Sequence, residues 1–113
     1  MKPPFWHPQA RLDLDHAAAW YARQGGQRLE LAFTDALQTA VQHLVQHPGI
    51  GSARCGETVG IPLLRQWPVK GFPHLVFYLD RPGQLDIWRV LHARTDIPSW
   101  MIEPDNDPTS PRE

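Results

Sequence analysis

Gly25 and Gly26 interrupt a stretch of helical periodicity that runs from Gln9 to His47, and this interruption constrains the fold more than any other feature. Before it, Leu14, Ala17, Ala18 and Tyr21 recur at the i, i+3, i+4 and i+7 spacing of one helix face. After it, Leu29, Phe33, Ala36, Leu37, Ala40, Val41 and Leu44 form one apolar stripe. Adjacent glycines end a helix and permit a tight reversal. The pattern predicts an antiparallel hairpin of two helices, over residues 9–24 and 27–47. At 1.5 Å per residue the second is roughly 30 Å long. The "HPGIG" run, His47 to Gly51, stops it with proline and glycine.

Beyond Pro48 the pattern changes. Residues 49–62 are rich in glycine and small polar residues and read as a loop. Three strand-like runs follow, over residues 62–69, 72–80 and 84–94, separated by "KG" and "RPG". Links this short make an antiparallel meander. The N-terminal "KPPFWHPQ" has prolines that cannot donate ladder hydrogen bonds, and fits an extended lead-in or an edge strand. The expected architecture is α+β: an N-terminal antiparallel helical hairpin packed on a three- to four-stranded antiparallel sheet. Residues 1–103 are expected to form one domain, and 104–113, "PDNDPTSPRE", a disordered, acidic, proline-rich tail.

Composition bounds the function. With 42% hydrophobic and 20% charged residues in 113, the chain can bury one modest core. No apolar run approaches the roughly 20 residues of a membrane helix, and the N-terminus has no signal core, so a cytoplasmic protein without a membrane partner is expected. Cys55 is the only cysteine, which rules out an intramolecular disulfide. Residues 51–100 carry six basic and four acidic groups, whereas 101–113 carry one and four. Dedicated nucleic-acid binding leaves a stronger basic footprint than this.

The "RVLHART" run, Arg89 to Thr95, followed by Asp96, concentrates titratable groups at a strand end. Strand alternation puts Leu85, Ile87, Leu91 and Ala93 on the face toward the helices. Arg89 falls on that apolar side by parity, which alternation does not explain. The opposite face takes Asp86, Trp88, Val90, His92, Arg94 and Asp96, a mixture suited to binding. Arg65, Trp67, His74 and Tyr78 are further candidates for exposure, with the outward side of their two strands left open. Core packing is expected for Trp20.

The whole arrangement resembles the RelE/ParE superfamily of type II toxin–antitoxin toxins. The resemblance rests on "LLRQWPVKGFPHLVFY", a short turn and "LDIWRVLHARTDI", preceded by the helical pair from "FWHPQARLDLDHAAAWYARQGG" through "AFTDALQTAVQHLVQHPGIG", and covers about residues 5–102. The ParE branch matches better than the RelE branch. It implies a toxin that binds a target protein, DNA gyrase by resemblance, and that a cognate antitoxin neutralises. Contact with nucleic acid would be indirect, through the antitoxin or the ribosome. Arg65, Trp67, Tyr78, Trp88, His92 and Arg94 are the expected partner-binding residues.

Two alternatives stay open. In a RelE-like, ribosome-dependent mRNA endoribonuclease, His92 and Tyr78 would be acid/base groups and Arg65 and Arg94 would hold phosphate. Thr95 stands where many relatives carry a second arginine, and the body is only weakly basic, so the non-enzymatic reading is preferred. The other alternative is a non-toxic remnant that still binds an antitoxin. His43 and His47 have a chelating spacing, but no third ligand is evident, and the helix C-terminal dipole accounts better for His47. No metal and no cofactor are expected, and no phosphate loop, CxxC pair or GxSxG elbow is present.

Overall fold

A computed structural model describes residues 3–54, 60, 61 and 63–93. Strand β1 (Pro4–Trp6) leads into helix α1 (Pro8–Gln46), and a 3-10 turn at Pro48–Ile50 follows. Strands β2 (Leu64–Pro68), β3 (His74–Arg81) and β4 (Gln84–His92) complete the order. Cys55, Arg94, Asp96, Trp100 and the 104–113 tail lie outside the described residues.

Element α1 is two helical arms that meet directly at the glycine pair, with no other loop residues between them. It is broken at the glycine pair, where Gly25 has φ −141°, ψ 15° and Gly26 has φ 76°, ψ −170°. Only glycine adopts the second conformation without steric cost. In a straight helix, Tyr21 and Phe33 would stand about 18 Å apart. Their rings stack with centroids 5.0 Å apart, so the two arms fold toward each other at the break. Pro8 sits in the first turn, where its missing N–H costs nothing.

The sheet has strand order β1-β4-β3-β2. β2, β3 and β4 form the expected antiparallel meander. β1 corrects the expectation of an all-antiparallel sheet: it pairs with β4 in parallel, Pro4 opposite Leu85 and Trp6 opposite Ile87. Antiparallel neighbours follow from tight turns, and β1 has none, because α1 carries the chain away from it. An edge position suits Pro4, which has no N–H to donate.

The main core lies between α1 and one sheet face. Phe33, Leu37 and Leu44 of α1 meet Val76, Tyr78, Leu85, Ile87 and Val90 there. Leu64, Phe77 and Leu91 make a second cluster on the other face. Trp20, expected in the core, is 49% exposed. It falls one position off the Leu14–Ala17–Tyr21 stripe, and Tyr21 takes the buried place.

Candidate functional site

The faces of β4 follow from its pairing with β3. Tyr78 stands opposite Ile87 and Phe77 opposite Arg89, so Trp88 is an extra residue, a β-bulge. Alternation holds up to Trp88 and then inverts. Val90, opposite Val76, joins the core under α1, whereas Leu91, opposite Leu75, joins the outer cluster. The alternation-based expectation for Val90, Leu91 and His92 is therefore reversed, because a bulge adds one residue to a period of two.

Arg89 reaches Asp13 of α1 through two hydrogen bonds, Nε to Oδ2 at 2.8 Å and Nη2 to Oδ1 at 2.9 Å. Asp13 Oδ2 also accepts from the Val90 backbone N–H at 2.9 Å. β1 pairs with β4 only along Leu85–Ile87, so the ladder is unpaired on that side further on, and the carboxylate takes over there. Sequence reasoning missed Asp13. The signal was the unexplained Arg89, a cation on an apolar side that needs a buried partner.

Arg65, Trp67 and Tyr78 all lie on the face toward α1, since β2 pairs Arg65 with Tyr78 and Trp67 with Val76. Tyr78 is completely buried. Its hydroxyl donates to Pro48 O at 2.8 Å and accepts from Gly51 N at 2.9 Å. Burial pushes this hydroxyl's pKa up. Arg65 Nη1 donates to Gly51 O at 2.7 Å and to Gly49 O at 3.2 Å. The two side chains brace the turn after α1 by donating to the carbonyls of Pro48, Gly49 and Gly51. Trp67 stacks on His43 at 5.4 Å, and the His43 and His47 rings are 5.1 Å apart. Among the described residues, no three His, Cys, Asp or Glu side chains are grouped to hold a metal ion.

His92 stands directly opposite His74 across the β3–β4 ladder, with ring centroids 5.4 Å apart. With Ala17, Trp20, Tyr21 and Pro73 they line a cavity of about 390 Å³. His74 packs edge-on against Tyr21 and Phe33, and its Nδ1 is buried without a hydrogen-bond partner. Desolvation, and then the nearby His92, lowers its pKa, against an opposing pull from Asp13.

Trp88 is half-buried on the outer face beside Leu64, Phe77 and Leu91. At one end of that face the buried Asp86 gathers Arg81 Nη1 at 3.4 Å and Gln84 Nε2, with His7 Nε2 at 3.9 Å. The six residues singled out in sequence thus do not converge on one point. Arg65 and Tyr78 act on the post-helix turn, Trp67 packs beside α1, His92 lines the cavity, Trp88 belongs to the outer face, and Arg94 lies outside the described residues.

A glycine-broken helix on one face of a four-stranded mixed sheet, with an apolar cluster on the other, defines a small α+β protein. Residues 5–97 match the family model described as the ParE toxin of type II toxin-antitoxin system, parDE, and the chain belongs to that family. The fold is similar to a solved structure titled "Chromosomal ParDE TA system from P. aeruginosa", with TM-score 0.69 and 22% identity over 81% of this chain and 96% of that one. No curated protein sequence matches the chain. Among the described residues, no helix is long and apolar enough to cross a membrane.

Proposed function

We propose that this chain is the toxin of a type II toxin–antitoxin pair that inhibits growth by binding a protein target, DNA gyrase, and that a cognate antitoxin neutralises it in the cytoplasm. Family membership supports the toxin role and the antitoxin partner. The observation that favours binding over RNA cleavage is the position of Arg65 and Tyr78. The Tyr78 hydroxyl is enclosed and bonded to Pro48 and Gly51, and Arg65 is engaged by the carbonyls of Gly49 and Gly51. Neither is presented to a phosphodiester beside His92. A general acid must reach the atom it protonates, within about 3 Å or through one water.

On this reading Trp88 is the strongest partner-binding candidate among the described residues, because aromatic side chains on apolar surfaces anchor interfaces. Trp67 and His92 contribute at the edges of α1, and Tyr78 acts only by shaping the turn. A supercoiling assay tests the target: purified toxin should abolish gyrase activity, and antitoxin should restore it. Full supercoiling at saturating toxin, together with codon-phased mRNA cuts on induction, would replace this reading with the endoribonuclease.

A further inference from the structure

The N-terminal module, β1 with the first arm of α1, is joined to the rest of the chain by Gly25 and Gly26 alone. Everything else that holds it is non-covalent. β1 pairs with β4 along Leu85–Ile87. Asp13 grips Arg89 and the Val90 N–H. Tyr21 stacks on Phe33 of the second arm and, with Ala10, is buried in the main core. The connection is a hinge with two backbone solutions. In the first, Gly26 sits at φ 76° and the arms fold together. In the second, both glycines are helical and α1 runs unbroken through its 39 residues, about 58 Å. The flanks favour that second form: Ala22, Arg23 and Gln24 before the pair, and Gln27, Arg28 and Leu29 after it, are good helix formers. Glycine weakens a helix interior but, unlike proline, does not block it.

We propose that a second copy of this chain is a partner for the same contacts, in a domain-swapped dimer whose α1 helices are straight through Gly25–Gly26. In the straight form Tyr21 and Phe33 stand about 18 Å apart along the axis, so the first arm is carried away from its own sheet. It then meets a second copy, whose β4, Arg89 and Phe33 offer the geometry just lost. Each contact is made once per chain in either state, so the hinge and the association decide between them. Short hinges invite this exchange. The glycine pair holds it in check. A Cβ on Gly25 would lie 2.7 Å from Leu29 Cδ2 and 2.9 Å from Leu29 Cβ in the folded-back form. Gly26 has a φ that side chains disfavour. Both positions therefore accept the reversal readily only as glycine. In the exchanged dimer Ala17, Trp20 and Tyr21 of one copy complete the cavity over Pro73, His74 and His92 of the other. The outer cluster of Leu64, Phe77 and Leu91 belongs to β2, β3 and β4, so it stays within one copy and the dimer presents it twice. None of this depends on the toxin's target.

Gly25→Ala with Gly26→Ala, in the full chain, tests the hinge. Alanine favours a helix interior over glycine by about 5-fold per residue, hence ~25-fold per chain and on the order of 600-fold in the dissociation constant of a dimer with two hinges. Light scattering after gel filtration should show twice the chain mass down to concentrations at least about 100-fold below those at which the unaltered chain dimerises. Charge reversal identifies the exchanged part. Asp13→Arg and Arg89→Asp, placed in separate chains of the double-alanine variant, each set like charges against one another in isolation. Refolded together they should form a one-to-one dimer, because each arm meets the opposite charge only across copies. A mixed dimer that forms no better than either variant alone would overturn the proposal, as would a double-alanine variant that stays monomeric. If that variant does not fold, the unaltered chain refolded at high concentration decides. A dimer that persists on dilution supports the exchange, and monomer alone overturns it.

Discussion

Asp13 of α1 grips Arg89 of β4 with both carboxylate oxygens, at 2.8 and 2.9 Å, across 76 positions of sequence. The same carboxylate accepts the Val90 backbone N–H, so one side chain neutralises a cation and satisfies a strand edge. The side chains are only 10% and 16% exposed, which separates this pair from a surface ion pair of small net effect. Arg89→Ala leaves the carboxylate with the backbone donor alone and should lower stability by about 3 kcal/mol, read as a urea midpoint. Replacing both, as Asp13→Leu with Arg89→Met, should recover part of the loss. A single variant with an unchanged midpoint would show that the pair is solvated in solution.

Tyr78→Phe removes the hydroxyl that joins Pro48 O to Gly51 N and leaves the buried Gly51 N–H and the part-buried Pro48 carbonyl each one partner short. The expected cost is about 1–3 kcal/mol in chemical denaturation. Gly51→Ala should be at least as harmful, because a Cβ there would lie 2.8 Å from Gln66 O and collide with the Tyr78 hydroxyl. If Tyr78→Phe abolished toxicity in a chain of unaltered stability, the hydroxyl would have a direct role.

Gly26→Ala is a local test of the helix break. Its Cβ meets open space, so the penalty comes from the backbone, held at φ 76°. A cost of about 1–2 kcal/mol is expected. A neutral result would mean that the arms reverse through a different conformation.

Stability should fall as the solution is acidified through the histidine range. His74 has a lowered pKa in the folded chain, from burial first and His92 second, with Asp13 opposing. The unfolded chain therefore binds a proton at His74 near pH 6.5, before the folded chain does. This contribution is complete above about pH 6.5 and is lost as the pH drops toward the lower, folded value. His74→Phe should flatten the slope of urea midpoint against pH between about 7 and 5. An equally steep slope in that variant would move the effect to another group.

On the outer face, Leu91→Ala should destabilise by roughly 2–5 kcal/mol, as for a buried leucine. Trp88→Ala should instead weaken partner binding at least tenfold, measured by calorimetry with the antitoxin, in a chain that still unfolds cooperatively. Unaltered affinity would take Trp88 out of the interface.

What was legible in the sequence is what short-range physics decides. Apolar spacing marked the helical arms, Gly25–Gly26 marked the break, and the two short links marked the β2–β3–β4 meander. Those signals depend on residues a few positions apart. The family was legible for the same reason, since its motifs are continuous runs. Tertiary structure decided the rest. A bulge at Trp88 costs one residue of register and sends Val90 and Leu91 to faces that alternation assigns the other way round. Whether a bulge forms depends on the partner strand and on Asp13, neither of which is local to "RVLHART". The parallel pairing of β1 and the enclosure of Tyr78 beneath the Pro48–Gly51 turn likewise rest on contacts between distant segments. A period read along one strand carries no information about them.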